Sequence, residues 1–257
     1  MHSLIRFISH WLYRVEAHSL HSPFIYDFYT KCISADYSIE DFNAWEEARN
    51  RLIHDERSIR ITSLGAASKV DNTQHRRISK IAKKGLSNAK TSRLLYRVIK
   101  YFQHRHVVEL GTSFGINALY LATNRNVKVA SFEGCNETMK IARKTIDQAE
   151  VYNIELVEGN IDHTLKPYLQ QNPAVDLAFI DANHRYLPTL DYIELLLKHQ
   201  KDELVIVLDD IYWSKEMSYA WNELYQMSEF TLSIDLFTLG ILIVKKDLAK
   251  QHYVLDF

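Results

Sequence analysis

Val107-Val-Glu-Leu-Gly-Thr-Ser-Phe-Gly-Ile-Asn117, followed by Ala-Leu-Tyr-Leu-Ala122, is the stretch around which the chain is organised. It reads as a buried strand that stops at Glu109, a turn through Gly111 and Gly115, and an apolar-periodic helix. Free backbone N–H groups gather where a strand and a glycine turn meet a helix N-terminus. The result is a corner the size of a nucleotide.

Downstream the pattern becomes regular. Strand-like runs fall at 106–110, 127–132, 154–158, 175–180 and 204–208, with helical stretches at 115–124, 136–150, 162–171, 188–200 and 214–227. Strand and helix alternating at this spacing predict right-handed βαβ units and a parallel sheet covered on both faces. The runs 230–237 and 240–246 have no helix between them, so they must pair as an antiparallel hairpin. The expected fold class is α/β: a Rossmann-like, doubly wound, mostly parallel seven-stranded sheet with a C-terminal antiparallel hairpin and an N-terminal helical extension.

Upstream, Leu4, Ile5, Ile8, Leu12 and Val15 recur at helical spacing and predict an amphipathic helix. It suits packing on the main domain or a homodimer contact better than a membrane surface. Ser22-Pro23 marks a second helix start, and a third helix is expected over 39–54. Residues 1–58 therefore read as a helical module and 59–257 as the main domain. His10, His18 and His21 lack a ligand spacing and read as surface or interface histidines. The small-residue loop ending at Ser68 would serve either as a cover over the site or as a connector.

Composition sets the outer bounds. At 257 residues, 47 % of them hydrophobic, the chain can bury a sizeable core in one or two domains. Cys32 and Cys135 stand without ligand spacing, as idle thiols in a reducing compartment do. No run approaches the ~18 apolar residues that span a bilayer. The N-terminus is broken by polar residues too early for a secretory core, so the expected location is cytoplasmic. The net charge of −1 gives no global pull toward nucleic acid, yet residues 72–108 contain no Asp or Glu and ten Lys or Arg. That stretch is either a solvated basic face or a docking surface for an anionic partner. Without interleaved aromatics, nucleic acid is the weakest choice.

Ligands of open α/β sheets bind outside the carboxyl ends of the strands. Those ends carry Glu109, Glu133, Gly159-Asn160, Asp181 and Asp209-Asp210. Glu133 lies 22 positions after Gly111, where an acid can take both ribose hydroxyls of a nucleoside. A dinucleotide fold would want glycine at 113 and 116, where Ser113 and Ile116 stand. A nucleoside without pyrophosphate fits better.

Glu109-x-Gly111-x-x-x-Gly115, Glu133, Phe-Ile-Asp-Ala-Asn-His184, Leu-Asp-Asp-Ile-Tyr-Trp213 and the terminal hairpin together resemble a class I S-adenosylmethionine-dependent methyltransferase. Within the class, the chain is most similar to the catechol and caffeoyl-CoA type of O-methyltransferase, over residues 86 to 246. The family's usual middle glycine is Ser113 here. The resemblance implies that Glu109, Gly111, Ser113, Gly115 and Asn117 line the methionine part of S-adenosylmethionine, that Glu133 holds the ribose, and that Asn160 lies near the adenine. It also implies that Asp181, Asp209 and Asp210 bind Mg²⁺ or another divalent cation, an all-oxygen set suited to hard ions. His184 falls about where the family has a lysine base, and an imidazole can accept a proton near neutral pH. Tyr186, Tyr212 and Trp213 would flank a small aromatic acceptor. Metal-independent N- or macromolecule methylation through the basic 76–105 surface is the rival reading. A non-catalytic cofactor-binding protein is another.

Overall fold

Leu204, Val205, Ile206, Val207 and Leu208 are each at most 1 % exposed. A strand buried on both faces needs helices above and below it, and the elements alternate accordingly. The structure is a computed structural model that describes residues 2–16, 19–35, 42–62, 75–172, 174–200 and 202–257, with side chains from residue 6. In chain order its elements are α1 (His2–Tyr13), α2 (Pro23–Phe28), a π-helical turn (Tyr29–Ile33), α3 (Asn43–Ile53), β1 (Ser58–Arg60), β2 (His75–Arg77), α4 (Ile78–Gly85) and α5 (Ala89–Phe102). Then come β3 (His106–Leu110), α6 (Ile116–Leu121), β4 (Lys128–Glu133), α7 (Asn136–Gln148), β5 (Ile154–Glu158), α8 (Ile161–Gln171), β6 (Leu177–Ile180) and α9 (Tyr186–His199). The chain closes with β7 (Glu203–Asp209), α10 (Lys215–Leu224), β8 (Leu232–Asp235), β9 (Leu239–Lys245) and β10 (Gln251–Val254). The eight strands from β3 to β10 make the expected mostly parallel α/β sheet. It has one strand more than the sequence predicts.

Backbone contacts divide the chain into two compact units, 36–168 and 1–35 with 169–257. In the first, β5, β4 and β3 lie side by side and parallel, with Glu133 opposite Glu158 at the carboxyl end. Asn88 starts α5 by accepting the N–H of Thr91 at 2.9 Å. Phe42, Ala48, Leu52, Ile78, Ala82 and Phe114 are buried in one cluster with α6. That core fixes where α6 starts, and so fixes the glycine turn before it. β1 and β2 pair antiparallel as a separate ladder.

In the second unit β6 and β7 are parallel, and β9 runs antiparallel between β7 and β8. This is the predicted hairpin, with Asp235 opposite Gly240. The additional strand, β10, pairs parallel with β8. Its sequence, Gln-His-Tyr-Val, is too short and too polar to announce a strand. The Val15 N–H bonds the Val254 carbonyl at 2.8 Å, tying the chain after α1 to the end of β10. Residues 1–35 thus belong with the C-terminal half, whereas α3 belongs to the other unit. The loop positions 63–68, His18 and the first residues of the acid-free window, 72–74, lie outside the described residues.

Gly240 in β9 is where a missing side chain matters most. A Cβ there would sit 2.4 Å from the Trp221 ring, which is 1 % exposed. Gly240→Ala should therefore destabilise the fold by about 1–3 kcal/mol through overpacking. A lower urea midpoint with unchanged slope would show it, and an unchanged midpoint would refute it.

Candidate active site

At the end of β3 the chain turns through Gly111 (φ 106°), Ser113 (φ 48°) and Gly115 (φ 83°). All three lie in the left-handed region, where a Cβ is unfavourable. Ser113 accepts that conformation at a position where glycine would be unstrained. It does so as part of a clamp on Glu133. The Ser113 N–H donates to Glu133 Oε2 at 3.0 Å and the Cys135 N–H to Oε1 at 2.8 Å. Burial raises the Glu133 pKa, while the N–H groups of Cys135, Ser113 and Gly134 oppose the rise. Each carboxylate oxygen keeps a further lone pair, so this acid could accept two more hydroxyl donors without displacing its backbone partners.

Glu109 is fully buried one turn of chain earlier. Its carboxylate accepts the Ser131 hydroxyl, and Ser131 in turn meets the Thr112 hydroxyl at 2.6 Å. This chain of polar groups locks the glycine turn to β4. Thr112 and Ser131 carry no motif, and only their burial in the fold reveals them. Asn117 faces α5, not open space. Its Oδ1 accepts from the Ser92 hydroxyl at 2.5 Å, and its Nδ2 donates to the Ser87 hydroxyl at 2.8 Å. Asn160 sits after Gly159 (φ 131°), with Oδ1 accepting the Asp162 N–H at 3.1 Å as α8 begins.

The second unit holds the other sequence-predicted residues. Asp181 follows β6, Asp209 ends β7, and Asp210 follows it with φ 58°. The chain bends sharply at Asn183 (φ 64°) and His184 (φ 45°), and the bend brings His184 Nε2 to 3.3 Å from Asp181 Oδ1. Burial, then Asp181 and Asp210, push the Asp209 carboxyl well above its ordinary range. Burial does the same to Asp210 more mildly, opposed by His184. Burial disfavours the His184 imidazolium, but the hydrogen bond and charge of Asp181, with Asp210 and Asp209 beyond, outweigh it and raise its pKa. Three carboxylates and one imidazole therefore act on one another as a group. The Trp213 ring stands 5.7 Å from that of His184.

The other two aromatics named from sequence are engaged elsewhere. Tyr212 donates its hydroxyl to Asp235, and Tyr186 donates to Glu223. Tyr212 also lies under Arg6 of α1, at 5.5 Å, and 5.7 Å from Phe237. Phe7 and His10 of α1 pack on the same Phe237 ring at 5.3 and 5.6 Å. His10 is thus an interface histidine, 3.3 Å from the Asp235 carbonyl. The sequence predicts that α1 packs on the main domain, but not that Phe237 and Asp235 receive it, because the contact joins residues more than 200 positions apart.

In charge, the carboxylate trio suits a divalent cation, since a positive ion would relieve the repulsion that lifts Asp209. In placement it does not close a ligand set: among the described residues no three His, Cys, Asp or Glu side chains are grouped to hold one ion.

Residues 108–211 match the family model described as a methyltransferase domain. No curated protein matches the chain. Among solved structures it is similar to the S-adenosylhomocysteine-bound methyltransferase PaMTH1 of Podospora anserina. That match has 15 % identity and a TM-score of 0.61, over 89 % of this chain and 97 % of that one. It is also similar to TomG of Streptomyces achromogenes, an O-methyltransferase of tomaymycin synthesis in complex with S-adenosylmethionine, at 17 % identity and TM-score 0.59, over 80 % and 91 %. An O-methyltransferase of Bacillus cereus with bound S-adenosylhomocysteine gives 18 % and 0.57, over 82 % and 94 %. At these identities the likeness is one of fold.

Asn117 offers a direct check on this description. Its amide holds two serine hydroxyls, so Asn117→Ala should cost about 1–3 kcal/mol of stability. Chemical denaturation measures it, and a loss below a few tenths of a kcal/mol would contradict the brace.

Proposed function

We propose that this protein is a class I methyltransferase, which takes its methyl group from S-adenosylmethionine and delivers it to a hydroxyl of a small, aromatic acceptor. The observation that carries the reading is Glu133, a buried carboxylate clamped by the backbone of the glycine turn yet with lone pairs to spare. Bound there, S-adenosylmethionine supplies an electrophilic methyl, whose C–S bond breaks with its electron pair going to sulfur as the acceptor oxygen bonds to carbon.

The chain's own residues then have limited work to do. Glu133 takes the ribose diol and fixes the register of the nucleoside. Gly111, Ser113 and Gly115 let the backbone approach the methionine part, Glu109 and Asn117 hold that turn in place, and Asn160 stands toward the adenine. His184 takes the acceptor's hydroxyl proton. Asp181 orients the imidazole and strengthens it as a base. Trp213 offers a flat face for an aromatic ring.

In the metal-assisted form of the reading, Asp181, Asp209 and Asp210 would hold a divalent cation such as Mg²⁺, which would acidify the acceptor hydroxyl. The present side-chain placement favours a second form, in which the His184–Asp181 pair removes the proton without a metal. Cys32 and Cys135, both buried and neither in a disulfide, support a reducing, cytoplasmic setting. No described helix is long and apolar enough to cross a membrane. The exposed Phe7, Ile8, Trp11, Leu12 and Tyr13 of α1 give a homodimer a surface on which to close.

Titration calorimetry should show micromolar S-adenosylmethionine binding, weakened at least about 100-fold in Glu133→Ala as charged hydrogen bonds are lost. NAD bound in its place would refute the reading. Transfer of labelled methyl in the presence of EDTA decides between its two forms. Activity abolished by EDTA and restored by Mg²⁺, with no restoration in Asp181→Ala or Asp209→Ala, establishes the metal. Activity undiminished by EDTA establishes the His184–Asp181 pair alone.

A further inference from the structure

We propose that a groove between α9 and α10 binds a small organic cation, an ammonium group carried on an apolar body. The groove has a volume of about 760 Å³, within the range of small-molecule sites. Its walls are Tyr186, Leu187, Pro188 and Tyr219, and its charges are Asp191, Glu216 and Glu223 with Arg185. Three carboxylates thus share the described lining with one guanidinium.

Helical spacing explains why apolar and acidic side chains meet there. Leu187 and Pro188 stand four and three residues before Asp191 on α9. Glu216, Tyr219 and Glu223 recur at three- and four-residue intervals on α10, so each helix turns one face to the groove. Where the two helices touch, the Thr189 hydroxyl meets the Met217 sulfur at 3.6 Å, and both residues are buried. Tyr186 ties the start of α9 to α10 at two points. Its N–H donates to Glu216 Oε2 at 3.1 Å and its hydroxyl donates to Glu223.

The carboxylates are not neutralised within the fold. Glu216 and Glu223 receive only the uncharged donors of Tyr186. Among the described residues the Asp191 side chain has no hydrogen-bond or ion-pair partner, and Lys215, next to Glu216 in the chain, pairs with none of the three acids. Counted in full, Arg185 offsets one of the three negative charges and leaves two. Among the described residues no three acids are grouped closely enough to hold a metal ion, so the charge calls for a larger cation. Leu187 and Tyr219 are 65 % and 62 % exposed, apolar surface that the body of such a ligand would cover. Its ammonium would gain charge-assisted hydrogen bonds from the acids and the attraction of a tyrosine ring. The groove lies within the second unit and uses none of the residues given a role in methyl transfer, so the proposal holds whether or not that reading does.

The test is titration calorimetry on the full chain at about 0.15 M salt, where screening suppresses diffuse attraction. The probe is 4-phenylbutylamine, which carries its charge at neutral pH as a lysine side chain does, and 4-phenylbutanol is its neutral control. The expected result is saturable one-to-one binding of the amine, at least about ten-fold tighter than the alcohol. In the double variant Asp191→Asn, Glu223→Gln the amine should bind about ten-fold more weakly and the alcohol no differently. Both carboxylates are exposed and an amide at 223 can still accept the Tyr186 hydroxyl, so the variant keeps its fold, which unchanged circular dichroism verifies. Asp191→Asn alone breaks no described contact and should weaken the amine in the same direction, whereas Tyr219→Ala should weaken both probes. Amine and alcohol bound equally, amine binding that the acid substitutions leave unchanged, or no binding of the amine overturns the site.

Discussion

Glu133 is a carboxylate placed where burial resists its charge, and backbone N–H groups make the placement tolerable. The donors come from Ser113 on one side and from Gly134 and Cys135 on the other. To point its N–H at Glu133, Ser113 adopts a left-handed backbone between two glycines that do the same. The turn and the acid therefore define each other. Thr112, Ser131 and Glu109 secure the turn from beneath, and Asn117 secures the helix that follows. What results is a corner braced on several sides, in which Glu133 keeps lone pairs beyond those its backbone donors use.

The acidic group in the other unit is built on the opposite principle. Asp209 has the N–H of Asp210 at 2.9 Å, but it also has two carboxylates acting against it. Such a group must be neutralised by protons, by His184 or by a cation, and each choice prescribes a different chemistry. Sharp turns at Asn183, His184 and Asp210 hold the four side chains in one another's field.

Much of this was legible beforehand. The runs that became β3 to β7 have the apolar content of covered strands, and the absence of a helix between β8 and β9 forced the hairpin. Gly111 and Gly115 announced the turn because few residues other than glycine take positive φ without strain. Other features left no local signal. The brace by Asn117, the Thr112–Ser131–Glu109 chain and the packing of Phe7 and His10 on Phe237 all depend on long-range contacts. β10 was invisible because an edge strand of four mostly polar residues looks like a tail. The division at residue 35 was hidden too, since helical periodicity says nothing about which half of a chain a helix joins.

The central claim is that the glycine turn and Glu133 are shaped for a sulfonium nucleoside. A crystal structure of the protein grown with S-adenosylhomocysteine tests this most directly. The account predicts both ribose hydroxyls on the Glu133 carboxylate, with the Ser113 and Cys135 N–H bonds intact and the amino-acid tail along Gly111 to Gly115. A ribose bound away from Glu133, or a corner that stays empty at saturating ligand, would contradict it.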